Sequence, residues 1–264
     1  MGYEQLIVDV AEGVGTIRLN NPSRLNALSG IMTVELLEVL DGFGRDRSVR
    51  AVLVTGEGRG FSSGADLSAL QEPYLKGERP QLSYFLKQGY NKLIPLITGC
   101  PKPVVAAVNG VVAGAGVSLA LACDIRLASE EASFSMAFIR IGLIPDAGST
   151  YLLPRAIGIA RALELALLSE KVDAERALAI GMVNRVVAPD QLLPEATELC
   201  RRLAALPTTA IALTKRMFDE ASRLSLAEAM DREAQVQDEA AATNDHLEGV
   251  LAFLEKRAPT FTGT

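Results

Sequence analysis

A layered α/β fold is predicted by three features of the chain. Short runs of β-branched residues are bounded by turn signals, two of those runs feed glycine-rich loops, and helical spacing of apolar residues follows them. The 264 residues are 49% hydrophobic and 22% charged, a balance typical of globular chains and unlike disordered ones. A chain of this length buries a large core without covalent staples. Cys100, Cys123 and Cys200 are odd in number and in no metal-ligand spacing, so neither a disulfide framework nor a structural zinc site is expected. A single histidine, His246, excludes a His-rich metal centre. Net charge −6 weighs against a nucleic-acid surface. The N-terminus MGYEQLIVDV lacks the basic-then-apolar order of a signal peptide, and no apolar run reaches membrane-spanning length. A cytoplasmic protein with no nucleic-acid or membrane partner and no metal is expected.

Residues 5–10 and 14–19, separated by Glu12-Gly13, predict a β-hairpin. The turn-rich stretch NNPSRLNALS (20–29) is a loop whose last residue, Ser29, caps a helix over residues 31 to about 43. Residues 49–55 predict a buried strand that ends in the loop GEGRGFSSGAD. A helix is expected over 82–98, a turn at Cys100-Pro-Lys-Pro103, and a second buried strand over 104–108. NGVVAGAG, a helix through SLALAC and a strand over 124–128 follow. From Pro189 the strand signal disappears, and 190–205, 208–224 and 226–256 read as helices. The expected division is therefore a core over 1–189 and a helical region over 190–264. In the latter, Leu247, Val250, Leu251 and Leu254 form a face for the core or for another subunit.

The chemistry concentrates in Gly60-Phe-Ser-Ser-Gly-Ala-Asp66 and Asn109-Gly-Val-Val-Ala-Gly-Ala-Gly116. Glycine lets main chain approach a ligand closely, and in the second loop the free N–H groups would open a helix, where negative charge is favoured. Two converging N–H donors make an oxyanion hole; two tight turns are the alternative. A dinucleotide fingerprint fails at Leu119, and no Gly-Lys-Ser/Thr completes a phosphate loop.

The order FSSGADL (61–67), PKPVVAAVNGVVAGAGVSLALACDIRLAS (101–129) and FSMAFIRIGLIPDAGSTYLLPR (134–155) resembles the crotonase, or enoyl-CoA hydratase/isomerase, superfamily. The resemblance runs from the hairpin through GMVNRVV (181–187) to FLEKRAPTF (253–261). It implies a crotonase (ClpP-like) fold of repeated ββα units with a C-terminal helical region that builds trimers, sometimes paired into hexamers. It also implies an acyl-CoA thioester substrate, with coenzyme A entering as part of that substrate and no separate cofactor. The thioester carbonyl would be held by the N–H groups of Ala65 and Ala115, which stabilise an enolate. Arg24, Leu25 and Ala27 match the segment lining the CoA nucleotide and pantetheine, while Phe253 and Lys256 match a pair reaching the CoA of a neighbouring subunit. Ser63, Asp66, Leu67, Gly114, Ser118 and Phe138 complete the implied substrate-binding set. Taken alone, Arg24 is equally a solvated loop arginine and Lys256 a helix-end cation.

One departure bears on the reaction. Hydratases of this family use two glutamates, and the matching positions here are Ser118 and Phe138. Paired acid and base for adding water are thus missing. Asp146 of Ile144-Pro-Asp-Ala-Gly-Ser149 stands where a branch of the family that isomerises ring-derived and unsaturated acyl-CoAs carries its acid/base aspartate. Apolar neighbours such as Phe138 and Ile139 would raise its pKa into a useful range. Without the family register, Pro-Asp-Ala reads first as a helix N-cap. The expected activity is double-bond isomerisation of an enoyl-CoA with Asp146 as acid/base. The alternatives are a hydratase with a non-standard acid/base set, in which Ser118 orients water, and a non-catalytic acyl-CoA-binding protein. Glu130, Glu131 and Glu164 are expected at the surface, His246 in a structural or solvent-facing role on the C-terminal helix, and Asp124 in a structural role.

Overall fold

The computed structural model describes residues 2–264. Strands β1 (Leu6–Ala11) and β2 (Val14–Leu19) form the expected hairpin, in register from Leu6 opposite Leu19 to Ala11 opposite Val14. Its turn residues Glu12 and Gly13 are both left-handed (φ 52° and 78°), the geometry that matches strand twist. Ser29 caps α1 (Gly30–Arg45), its hydroxyl accepting the Met32 N–H at 3.1 Å. Strand β3 (Ala51–Gly56) then runs parallel to β2, and β4 (Gly60–Ser62) leaves the sheet.

Three short helices follow: α2 (Gln71–Leu75), α3 (Leu82–Gln88) and α4 (Tyr90–Thr98). The single helix expected over 82–98 is broken at Gly89, whose φ −108°, ψ −93° is not helical. Strands β5 (Val104–Val108) and β6 (Val111–Ala113) lead into α5 (Ala115–Ala122), every residue of which is buried. Strands β7 (Ile125–Ser129) and β8 (Ser133–Ser135) repeat the motif before α6 (Ser149–Ile157) and α7 (Ile159–Leu168). Strand β9 (Val172–Asp173), α8 (Ala174–Ala179) and β10 (Arg185–Val187) close the strand region.

The first strand of each repeat joins a six-stranded sheet of order β1-β2-β3-β5-β7-β10. The second joins a four-stranded sheet of order β4-β6-β8-β9. This is the arrangement of repeated ββα units that the resemblance implies. The larger core, with Ile17, Leu36, Leu93, Val104 and Phe134, fills one side. On the other face α9 (Leu192–Ala204) lays Leu192, Ala196, Leu199 and Cys200 against Val14, Leu53, Val105 and Leu127. The head of the predicted helical region is therefore a layer over the sheet.

Beyond it run α10 (Thr208–Ala221), α11 (Leu226–Ala241) and α12 (Asn244–Glu255). The one helix expected over 226–256 is two, because Thr243 turns the chain and caps α12 by accepting the His246 N–H at 3.1 Å. Asp124 is structural: it accepts Val104 N–H and pairs with Lys215 of α10, both at 2.7 Å. Asp245, 2% exposed, takes the N–H groups of Thr262 and Gly263 at 2.7 and 2.8 Å and so ties the chain after α12 back to that helix. The apolar face of α12 is open in the single chain, with Leu247 58% and Leu254 69% exposed. Among the described residues no helix is long and apolar enough to cross a membrane.

Candidate active site

The loop between β2 and α1 is shaped by one buried side chain. Asn26 sits at φ 55°, a conformation asparagine tolerates, and its amide donates to the carbonyls of Glu57 and Gly60 at 2.9 and 2.7 Å. Its carbonyl accepts Asn21 N–H at 2.8 Å. So held, the loop zips onto the first glycine-rich loop: Leu28 N–H donates to Gly64 O at 2.7 Å and Asp66 N–H to Leu28 O at 3.3 Å. Ser63 donates through its N–H to Leu25 O and through its hydroxyl to Arg24 O, at 2.8 and 2.9 Å. A parallel bridge of this kind spends the groups of residues 64 and 66 and turns Ala65 N–H to the opposite side. There it has no protein acceptor among the described residues.

The second loop is locked against the first. Gly64 has φ +88°, and a Cβ built there would stand 2.6 Å from Ala113 O and 3.1 Å from Ala115 N. Reciprocally, a Cβ on Gly116 would stand 2.4 Å from Ser62 O. Only glycine permits this mutual approach. Ala115 is the first residue of α5, so its N–H lacks an intrahelical acceptor, and it finds no other among the described residues. Two unspent main-chain donors therefore occur on abutting loops, one at a helix N-terminus.

Asp146 reaches the same neighbourhood from the turn before α6. The helix is capped by Gly148, not by Asp146, and Ala147 and Gly148 are both left-handed (φ 49° and 77°). The Asp146 main-chain carbonyl accepts Ser149 N–H at 2.9 Å, while its carboxyl Oδ1 is buried with no hydrogen-bond partner. Burial pushes the carboxyl from 3.8 up to about 6. Phe138, expected in the apolar wall, is 7% exposed, and its Cζ lies 3.7 Å from where a Gly114 Cβ would stand. Ile139, by contrast, is 44% exposed.

Ser118 is fully enclosed, its Oγ 2.5 Å from Ser149 Oγ and 3.4 Å from Asp146 O. Its hydroxyl thus turns into the protein rather than into an open cleft. Arg24 Nη1 donates to both carboxylate oxygens of Asp66, at 3.1 and 3.0 Å. Burial resists charge on Asp66, but the hydrogen bonds from Ser68 and the Arg24 guanidinium prevail and hold its carboxyl below the usual range. Ala27 is buried, Leu25 half-buried and Leu67 exposed beside this pair. Phe253 (81% exposed) and Lys256 stand apart at the end of α12.

Three residues of this group lie outside the set expected from the sequence: Asn26, Tyr90 and Ser149. Tyr90 opens α4 directly after the Gly89 break, and its hydroxyl donates to Leu28 O at 3.3 Å. Burial above all, then the nearby charges of Asp146 and Asp66, raise its pKa and keep it protonated. The helix-breaking glycine before it was the available signal. Among the described residues no group of three or more His, Cys, Asp or Glu side chains is placed to hold a metal ion.

Two free N–H donors beside a carboxyl that titrates near neutrality can hold a developing oxyanion and move a proton. Residues 9–264 match the enoyl-CoA hydratase/isomerase family. The 1,2-epoxyphenylacetyl-CoA isomerase of Escherichia coli K12 is 44% identical over 261 residues, covering 98% of this chain and 99% of that one. The trans-2-decenoyl-[acyl-carrier-protein] isomerase of Streptococcus mutans is 36% identical, with all of both chains covered. The crystal structure of an enoyl-CoA hydratase from Bacillus anthracis superposes with a TM-score of 0.91 at 33% identity, over 99% of this chain and 100% of that one.

Proposed function

The chain belongs to the enoyl-CoA hydratase/isomerase family, and from that premise we propose that it moves a carbon–carbon double bond within an enoyl-CoA, with Asp146 as the acid/base. As a member it is an enzyme that processes acyl-CoA thioesters, and coenzyme A arrives as part of the substrate. The N–H groups of Ala65 and Ala115 bind the thioester oxygen and bind it more strongly as it becomes the enolate oxygen. Ionised Asp146 takes a proton from C2 of a 3-enoyl thioester, and the C–H electron pair flows into the carbonyl to give a dienolate. The same carboxyl then gives that proton to C4 as the electrons return and the double bond closes between C2 and C3. Carboxylate is regenerated, and product and substrate have equal mass.

One carboxyl suffices for this exchange. Adding water requires a second group, and the two positions of the hydratase glutamates hold Ser118 and Phe138. A carboxyl near 6 is mostly ionised at neutral pH yet still a competent acid toward C4. The rest of the implied set walls the substrate: Arg24, Leu25 and Ala27 along the CoA, and Ser63, Asp66, Leu67 and Gly114 about the thioester. Phe253 and Lys256 serve the CoA of a neighbouring subunit. The exposed Leu247, Leu251 and Leu254 support α10–α12 as the contact region of a trimer or a pair of trimers, working in the cytoplasm.

The observation that carries this reading is the buried, unpartnered Oδ1 of Asp146. The test is incubation with a 3-enoyl-CoA, followed by conjugated-thioester absorbance and product mass. Conjugation at unchanged mass is expected. A product heavier by one water would assign hydration instead, and no product with no α-proton exchange would leave a binding protein.

A further inference from the structure

We propose that Ser118 and Ser149 are positioning residues whose hydroxyl pair fastens the turn bearing Asp146 to the helix whose first N–H is that of Ala115. This rests on the isomerase reading above. Both side chains are closed to solvent, at 0% and 1% exposure, and their oxygens are 2.5 Å apart. The other partner of Ser118 Oγ is the Asp146 carbonyl at 3.4 Å. A carbonyl only accepts, so Ser118 donates to it and Ser149 donates to Ser118. The result is one ordered chain, Ser149 Oγ–H to Ser118 Oγ–H to Asp146 O.

Ser118 lies three residues after Ala115, less than one turn of α5, so the link from the free N–H to the Asp146 turn is short and rigid. The turn needs such a hold, because Ala147 at φ 49° lies in the left-handed region that L-residues other than asparagine and aspartate rarely adopt. The pair also keeps its protons off the carboxyl. Oδ1 has no partner, and burial alone accounts for the upward displacement of the carboxyl. A hydroxyl donating to the carboxylate would favour its charged form. The titratable neighbour across the site is Tyr90 from α4, held protonated.

The test compares Ser118→Ala, Ser149→Ala, the double variant and Asp146→Asn in the full chain. Steady-state kinetics on a 3-enoyl-CoA are read beside the Asp146 carboxyl titration, followed by difference infrared spectroscopy and assigned by its loss in Asp146→Asn. Each serine variant should lower kcat by about 10–100-fold with little change in KM, as small misplacements do. In Ser118→Ala the freed Ser149 hydroxyl turns to the carboxyl, and the titration midpoint falls below that of the parent. The double variant should lose no more kcat than Ser118→Ala, since the pair acts as a unit. Parental kcat with an unmoved midpoint in Ser118→Ala would overturn the proposal. So would losses that multiply in the double variant while the midpoint stays put. Turnover by Asp146→Asn would instead remove the isomerase reading, and the titration would still judge the serine pair because it needs no catalysis.

Discussion

Replacing Asp146 by Asn removes a charge that the fold resists holding. The folded carboxyl titrates near 6 against an ordinary 3.8, so folding favours its protonated form. That advantage is complete below about 3.8 and is lost as pH rises through 6; above it the ionised carboxylate is a cost. At 1.36 kcal/mol for each pH unit the displacement sets a ceiling of about 3 kcal/mol. The group is only half-buried, and solvent screening brings this to about 1–2 kcal/mol. At about 2–4 °C for each kcal/mol in a chain of this size, Asp146→Asn should melt a few degrees above the parent at pH 8. The two should converge near pH 4. Thermal melts of both proteins at half-unit steps from pH 4 to 8 measure the gap. Turnover of a 3-enoyl-CoA should meanwhile fall by about 10²–10⁴-fold, the usual worth of an acid/base group, with CoA-ester binding retained. A gap that does not open with pH, or an Asn variant that melts lower at pH 8, would refute the burial argument. Surviving turnover would refute the proton-transfer role.

Gly64→Ala drives a methyl group against Ala113 O and Ala115 N, so it should cost about 10²–10³-fold in kcat, like the loss of one oxyanion donor; a variant within a few fold of the parent would count against the interlock. Arg24→Gln should raise KM for CoA esters several-fold but leave KM for a shortened pantetheine thioester unchanged. Its thermal midpoint should move little, because the Arg24 end of the pair is half exposed and the Ser68 N–H still donates to Asp66. Asp245→Ala takes the acceptor from the part-buried N–H groups of Thr262 and Gly263, a loss of about 1–3 kcal/mol in all, and should show as a lower melting point and earlier proteolysis of the last residues.

Elements with strong local signals were legible. The hairpin followed from alternation around Glu12-Gly13, α1 from the Ser29 cap, and β5 from an unbroken apolar run. The four-stranded sheet was not, because β4, β6 and β8 are three residues each, too short for any periodicity, and their pairing is a tertiary event. Asp146 shows the limit most clearly. Locally it reads as a helix cap, yet Gly148 takes that place and leaves the carboxyl unpaired. Only the family register pointed past the cap. The partners of Tyr90 and Ser149, Leu28 and Ser118, lie 62 and 31 residues away, beyond the reach of any local pattern.

The mutual intrusion of the two glycine loops restricts how such a protein can be re-engineered. Each loop occupies the volume a side chain on the other would need, so neither has private room to change. A library that randomises 62–66 alone will return mostly dead clones at position 64, and one confined to 113–117 will do so at position 116. Productive variation must be drawn from both windows at once, with one backbone retreating as the other advances. Outside them, a single-site library at Asp146, whose carboxyl bonds to neither loop, can explore new chemistry while both glycine loops keep their mutual fit.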